Sequence, residues 1–367
     1  MISRYSIGVG FNDLLFALKE SLKNPYKIKS LDEFRFSVNG RSALTIILKE
    51  YGLKKSEKVI VPLMTCESVH QAIKEAGGIP EFVMPKNNFH PSIFDYSNII
   101  NDIKAKYVVV ISNWGYPYPI NELRKKIPSD TIIIQDCALS YGSFRDGFMD
   151  GNFSDSSFFS FSNGKPLFLF GGGMIKKKSN FSQKIVLTKE LKIKNCLNIL
   201  KLYCKSLIVN HPWIFKLFYN YSKKPKVSAK KLFSNETLPW VQNMFYRNKI
   251  KTHKEIKKRR SKFNYLVNLL DNSKVHSLDI EPNVDWNYWM VPIIISGETD
   301  IDYLCNQMRK EGYDIIQPYK AEIENFKKNH LSKYKFYQPK IVLAPSLDLM
   351  TYKMIKKFVN KLHFNIN

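Results

Sequence analysis

A chain of 367 residues with 44% apolar and 14% aromatic side chains can bury a large core, which excludes a disordered polypeptide and fits two domains or one large α/β domain with an appendage. The net charge of +25 leaves nucleic acid, an anionic membrane face or an anionic substrate as partners, and nucleic acid ranks last because no zinc-finger, RNP-like or basic-zipper pattern accompanies the lysines. Five scattered cysteines (Cys66, Cys137, Cys196, Cys204, Cys305) without a C-x-x-C pair indicate neither a disulfide framework nor a zinc site, and the opening residues lack a signal-peptide apolar core, so a cytoplasmic protein is expected.

The first predicted helix of the sheet region, over 42–51, is opened by Asn39-Gly40-Arg41-Ser42. Helix-start amides beside an Arg and a Ser suit a phosphate monoester, although such a turn taken alone is only a helix start. A β-like run at 58–62 ends in Pro62-Leu63-Met64-Thr65-Cys66, followed by a helix over 68–76 and a strand over 79–83. The strand over 107–112 leads into Trp114, a helix covers 120–127, and the strand over 131–135 runs into Gln135-Asp136. A last strand, 157–161, opens the stretch Ser160-Phe161-Ser162-Asn163-Gly164-Lys165-Pro166, with glycines at 171–173 beyond it. Strand and helix patterns in alternation predict crossover units and a mostly parallel sheet with helices on both faces. Ligands of such sheets bind at the carboxyl ends of the strands, where Asp136 falls.

Residues 185–250 break the rhythm as a basic, amphipathic helical insertion. Leu197, Leu200, Cys204 and Leu207 share one helical face, opposite Lys194, Asn198, Lys201 and Lys205, and the apolar pattern resumes with Ile214, Leu217, Phe218 and Tyr221. No stretch reaches the roughly 18–20 apolar residues of a spanning helix. The pair either lies on an anionic membrane or packs its apolar face against its own domain or a second subunit. A charged helix over 254–270, a strand over 288–295, a helix over 303–311, a strand over 340–343 and a final helix over 351–362 complete a smaller α+β tail. The domains are placed at 1–250 and 251–367.

Lys165 sits on a tight, glycine-bordered loop downstream of a strand-end aspartate. A lysine so held can form a Schiff base, and such an aspartate can face a pyridinium nitrogen. A Walker-type phosphate loop is excluded, because its pattern needs Gly at 159 and Ser or Thr at 166, where Phe159 and Pro166 stand.

The motifs Asn39-Gly40-Arg41, Pro62 to Thr65, Gln135 to Ala138 and Ser160 to Lys165, with the glycines at 171–173, follow in an order that resembles the DegT/DnrJ/EryC1/StrS family of sugar aminotransferases. The resemblance covers 34–175 and recurs loosely over 285–365. It implies the α/β fold of type I transferases dependent on pyridoxal 5'-phosphate (PLP): a mostly parallel seven-stranded central sheet with helices on both faces, plus a smaller C-terminal α+β domain. It further implies that Lys165 binds PLP and moves a proton between Cα and C4′. Asp136 is expected to keep the ring nitrogen protonated, Gly40, Arg41, Ser42 and Ser160 to hold the phosphate, and Cys66, Trp114 and Leu139 to lie about the ring. The implied partners are glutamate, a keto-sugar linked to a nucleotide, and a second copy in a homodimer, to whose site Asn235 or Asn243 would contribute. The setting is surface polysaccharide or lipopolysaccharide biosynthesis, in the cytoplasm or at the inner face of an anionic membrane.

Two positions depart from the family. Leu139 stands where Gln or His is common near the cofactor's phenolic oxygen, and Cys66 where a ring-stacking aromatic is expected. Two other readings stay open: a PLP-dependent sugar dehydratase, which in some relatives has histidine in place of the lysine, and a non-catalytic peripheral membrane protein that retains the fold.

Overall fold

The computed structural model describes residues 1–22, 34–84, 90–177, 186–187, 192–222, 236–270, 274–320, 323–324 and 340–366; Asn235 lies outside them. The main sheet is built from β1 (Phe34–Ser37), β2 (Lys58–Pro62), β3 (Ile79–Val83), β4 (Tyr107–Ile111) and β5 (Ile132–Asp136). After the short hairpin β6 (Phe144–Arg145) and β7 (Phe148–Met149), β8 (Ser156–Ser160) and β9 (Gly173–Lys177) complete it. The seven strands run in the order β1-β9-β8-β5-β4-β2-β3. β2, β3, β4, β5 and β8 are parallel, while β9 is antiparallel to β8 and to β1.

Periodicity explains the layering. Tyr107, Val109 and Ile111 pack with α2 (Gly40–Glu50) and α3 (Glu67–Ala76), whereas Val108 and Val110 pack on the other face with α4 (Ile93–Ile103) and α5 (Ile120–Arg124). A strand buried on both faces has no place for a polar residue, so β4 reads as an unbroken apolar run. The helix predicted over 120–127 stops at Arg124, because Pro128 disfavours helical backbone just before it.

A second core joins α1 (Phe11–Leu22), α6 (Lys192–Asn210) and α7 (Pro212–Ser222) to the 167–170 segment; between the last strand of the main sheet and these helices a short parallel pair, β10 (Val186–Leu187) and β11 (Glu236–Thr237), is formed. Here the structure corrects one alternative from the sequence. The stripe Leu197, Leu200, Cys204 and Leu207 does not pack on its own domain but is exposed, and α6 is seated instead through Asn195, Ile199, Ser206 and Val209.

The helix predicted from 254 begins at Val241: α8 (Val241–Val267) runs through 250/251, where the domain boundary was expected. Its first turns belong to the core around α1, with Val241 and Met244 buried and the Trp240 indole N–H donating to Leu169 O at 3.0 Å just before it. Its later turns, through Ile256, Phe263 and Leu266, belong to a third core. That core holds a sheet of β12 (Val275–His276), β14 (Pro292–Ile295) and β15 (Ile341–Leu343), covered by α9 (Ile301–Lys310) and α10 (Tyr352–Ile366). β13 (Val284–Asp285) pairs with β6 and stitches the C-terminal part to the main body, and Ile2 bridges to Tyr313 from the amino terminus.

The strand predicted from 288 starts only at Pro292. Tyr288 takes a left-handed conformation (φ 52), and Asn287 Oδ1 accepts the Trp289 amide at 3.0 Å, a turn that ends extended pairing. Among the described residues no helix is long and apolar enough to cross a membrane.

Candidate active site

The carboxyl edge of the sheet collects the motifs that lie far apart in sequence. β5 sits between β4 and β8, with Asp136 in register with Ile111 on one side and Phe158 on the other. β4 is tied to β2 at the same edge, since the Asn113 side-chain amide donates to Met64 O at 3.2 Å.

Gly40 and Ser160 meet across the gap between α2 and β8. A Cβ built on Gly40 would stand 3.1 Å from the Ser160 Cβ and 3.4 Å from its Oγ, so the smallest residue is what lets the helix start approach the strand end. Asn39 caps the helix through Oδ1, which accepts the Ser42 amide at 2.8 Å, and Ser42 is buried. The first amides of a helix have no intrahelical acceptor and carry the positive end of its dipole, so this corner is built for an anion. Arg41 is half-buried within electrostatic reach of Glu75 on α3, and its Nε is buried without a protein partner.

Asp136 is 6% exposed, and burial pushes its carboxyl up to about 6. The Lys165 ammonium opposes that rise, as does the Ala138 amide, which donates to Oδ1 at 2.9 Å, while the buried Asp150 adds to it. The structure therefore brings Asp136 and Lys165 within electrostatic reach of each other. Lys165 is itself half-buried on the loop after β8. That loop is closed by Phe161, whose carbonyl accepts from Leu169 and Gly171 and whose amide donates to Gly172 O at 2.9 Å. Gly172, at φ 94, leaves no room for a side chain: a Cβ would lie 2.6 Å from Val241 on α8.

The remaining expected residues are placed differently. Trp114, at φ 59, is 1% exposed inside the C-terminal core, 5.6 Å ring to ring from Tyr319, and its carbonyl accepts the Trp286 indole N–H at 2.9 Å. Leu139 is half-buried with its carbonyl held by Asn287 Nδ2 at 2.8 Å. Cys66 is an exposed thiol at the start of α3, accepting from Ser68 Oγ at 3.1 Å. Asn243 donates to Glu20 of its own α1 at 2.6 Å.

Trp289, Arg259, Asp348 and Asp150, which the sequence did not single out, hold these pieces in place. The Trp289 indole donates to Gly164 O at 3.1 Å, directly before Lys165. The Trp289 ring lies 4.7 Å from the Arg259 guanidinium, and Arg259 is clamped by both oxygens of Asp348 at 2.9 and 3.0 Å. Behind Asp136, Gln135 Nε2 donates to Asp150 Oδ1 at 2.7 Å and to Ser112 Oγ at 3.0 Å. The signal for the first group was the aromatic run Trp286-Asn287-Tyr288-Trp289, whose alternation imitates a strand; nothing local marks Asp150.

An amine beside a buried acid, with a helix-start anion corner one strand away and an unpartnered buried Arg41 Nε, is a donor set that fits PLP. Residues 36–202 match the DegT/DnrJ/EryC1/StrS aminotransferase family. The GDP-perosamine synthase of Escherichia coli O157:H7 is 32% identical over 139 residues, 37% of this chain and 38% of that protein. The enzyme of the same name from Vibrio cholerae is 30% identical over 159 residues, so the chain spans only 38% and 42% of the length of these two curated relatives. Among solved structures, Helicobacter pylori PseC, an aminotransferase involved in the biosynthesis of pseudoaminic acid, superposes with a TM-score of 0.74 over 100% of this chain and 99% of its own at 16% identity. A Streptococcus pneumoniae sugar aminotransferase in its PMP form gives 0.72 over 100% and 98% at 14% identity. At those identities the likeness shows the fold, which is the type I fold expected from the motifs.

Proposed function

We propose that the chain, whose residues 36–202 match the DegT/DnrJ/EryC1/StrS aminotransferase family, is a member of that family and a PLP-dependent transaminase that moves an amino group from glutamate to a nucleotide-linked keto-sugar. The observation that carries this reading is the meeting of Asp136 and Lys165 beside the corner where Gly40 packs on Ser160. The relatives' names, which contain GDP- and dTDP-linked sugars, support the nucleotide-linked acceptor.

When bound, PLP supplies an electron sink conjugated to the transferred nitrogen. Asp136, buried with the Ala138 amide donating to Oδ1, would gain from a cationic N–H and so would keep that proton on the ring nitrogen. Lys165 would hold the group through its amine and would carry the proton taken from the amino-acid Cα. Gly40 and Arg41 would offer helix-start amides to the phosphate, Ser42, whose amide is taken by the Asn39 cap, its side chain, and Ser160 its hydroxyl from the facing strand. Leu139 and Cys66 replace a polar contact and a stacking ring, which leaves the hold on the cofactor to the phosphate corner, Asp136 and Lys165. The working form is a cytoplasmic homodimer in surface-polysaccharide biosynthesis, with peripheral contact to an anionic membrane as a separate, non-catalytic property. Lys165 argues against dehydration, which in relatives accompanies histidine at that position.

The test is the glutamate half-reaction. Purified protein given PLP is expected to gain a near-visible absorbance band that is absent in Lys165→Ala, and to form one 2-oxoglutarate per site when glutamate is added. A colourless protein that ignores PLP, or one that releases no 2-oxoglutarate from glutamate, overturns the reading.

A further inference from the structure

Three neighbouring helices turn apolar stripes away from the core. On α6, Ile193, Leu197, Leu200, Cys204 and Leu207 recur at spacings of four, three, four and three residues, which is one face of a helix, and all five are exposed. α7 adds Trp213, Leu217 and Phe218, with Leu217 74% exposed, and α1, which packs along α6, adds Phe11 and Leu15. Helices that merely cover a core do not show a second apolar face, and large exposed apolar patches mark interaction surfaces.

Charge identifies the partner. At 3.6 residues per turn, Lys194, Lys201 and Lys205 fall about a quarter turn from the α6 stripe, along one edge of it rather than on the opposite face expected from the sequence, and all three are exposed. Lys216 is exposed on α7 between Trp213 and Leu217. Residues 191–235 contain ten lysines and no aspartate or glutamate. A second copy of the chain docking here by two-fold symmetry would bring the exposed lysines of α6 and α7 toward one another, and neither helix contains an aspartate or glutamate. The pattern is instead that of helices lying in a membrane interface, with apolar side chains and an indole at the headgroup boundary and ammonium groups on anionic headgroups.

We infer that the exposed faces of α1, α6 and α7 form a docking surface for an anionic phospholipid bilayer, on which the protein lies without crossing it. The inference gives the peripheral membrane contact named above its residues, and it rests on that setting but not on the transamination chemistry.

Flotation of the full chain with vesicles tests it. With vesicles of phosphatidylglycerol and phosphatidylcholine the protein is expected to float at low salt and to be released at high salt; with phosphatidylcholine alone it should stay in the soluble fraction. The double variant Leu197→Glu/Leu217→Glu, whose sites are exposed and outside the core, should keep its melting temperature and its glutamate half-reaction while its partition onto anionic vesicles falls roughly tenfold or more. Lys201→Glu/Lys205→Glu should weaken partition in the same sense. Failure of the wild type to float with anionic vesicles, equal binding to neutral vesicles, undiminished flotation of the double variant, or conversion of a wild-type dimer to a monomer by that variant each overturns the proposal, the last by showing a subunit interface. A wild type that floats yet forms no 2-oxoglutarate overturns the transaminase reading alone, so the two failures are distinguishable.

Discussion

The carboxyl edge of the sheet and the outer face of α1, α6 and α7 are assembled from similar stock, short apolar runs interrupted by lysine, and they come to opposite ends. At the edge, Asp136 and Ser160 are buried at the ends of strands whose direction their neighbours fix, and Lys165 is half-buried on the loop that follows. On the outer face, Leu197 and Leu217 stand in solvent while Asn195 and Ser206 are buried beneath them. A polar residue is buried at the edge because it has a charge partner or a hydrogen bond waiting. On α6, Ser206 is buried cheaply by donating to Tyr203 O at 2.7 Å, within its own helix. Burial thus follows satisfied polar groups as much as hydrophobicity, and exposed leucines point to something outside the chain.

The difference can be tested from both sides. The largest effect is expected for Lys165→Ala, where loss of the group that moves the proton should lower turnover by about 10²- to 10⁴-fold or more while circular dichroism stays unchanged; a variant with near-normal turnover would remove Lys165 from the chemistry. Next comes Ile199→Ala on α6, fully buried, which should cost about 2–5 kcal/mol in denaturant unfolding. A loss below about 0.5 kcal/mol there would mean that α6 is not seated on this core.

Asp136→Asn should change the pH dependence of the protein without cofactor. The carboxyl's folded pKa, about 6, lies above its ordinary value, so the folded state holds the proton more tightly than the unfolded chain. The penalty for ionising it in the fold is absent at low pH, grows as pH rises toward 6 and is complete above. Melting temperatures should accordingly show the Asn variant gaining on the wild type between about pH 4 and pH 7, and a gap that shrinks over that range would contradict the burial of an under-solvated carboxyl. With PLP added the order should reverse, since only the wild type can pair with the ring N–H.

Trp289→Phe removes the donor to Gly164 O while keeping an aromatic ring over Arg259, and about 1 kcal/mol of stability should go with it. PLP release measured by absorbance should quicken in the same variant; unchanged release would make Trp289 a core residue only. The smallest effect is expected at Leu197→Ala, within about 0.5 kcal/mol of wild type, because its side chain leaves solvent only when a partner arrives.

The sheet strands were legible because burial on both faces forces each into a short apolar run, and the site motifs because strand ends and helix starts have fixed backbone geometry. Gly40, Asp136, Ser160 and Lys165 could therefore be picked out singly. Trp289 could not, since Tyr288 and Trp289 read as the start of a strand until Tyr288 is seen in a left-handed conformation and Asn287 in its turn. Asp150 carries no local signal at all; its importance is a matter of what lies behind Gln135.

By itself the sequence determined the alternation of strand and helix, the order of the motifs, and the two-sided character of α6, all consequences of local periodicity and backbone preference. The tertiary structure alone decided that Gly40 lies against Ser160, that Trp289 holds the loop before Lys165, that α8 threads two cores, and that the leucine face of α6 looks outward. Those are relations between residues far apart in the chain, and they are set by which surfaces pack and which buried polar groups find partners.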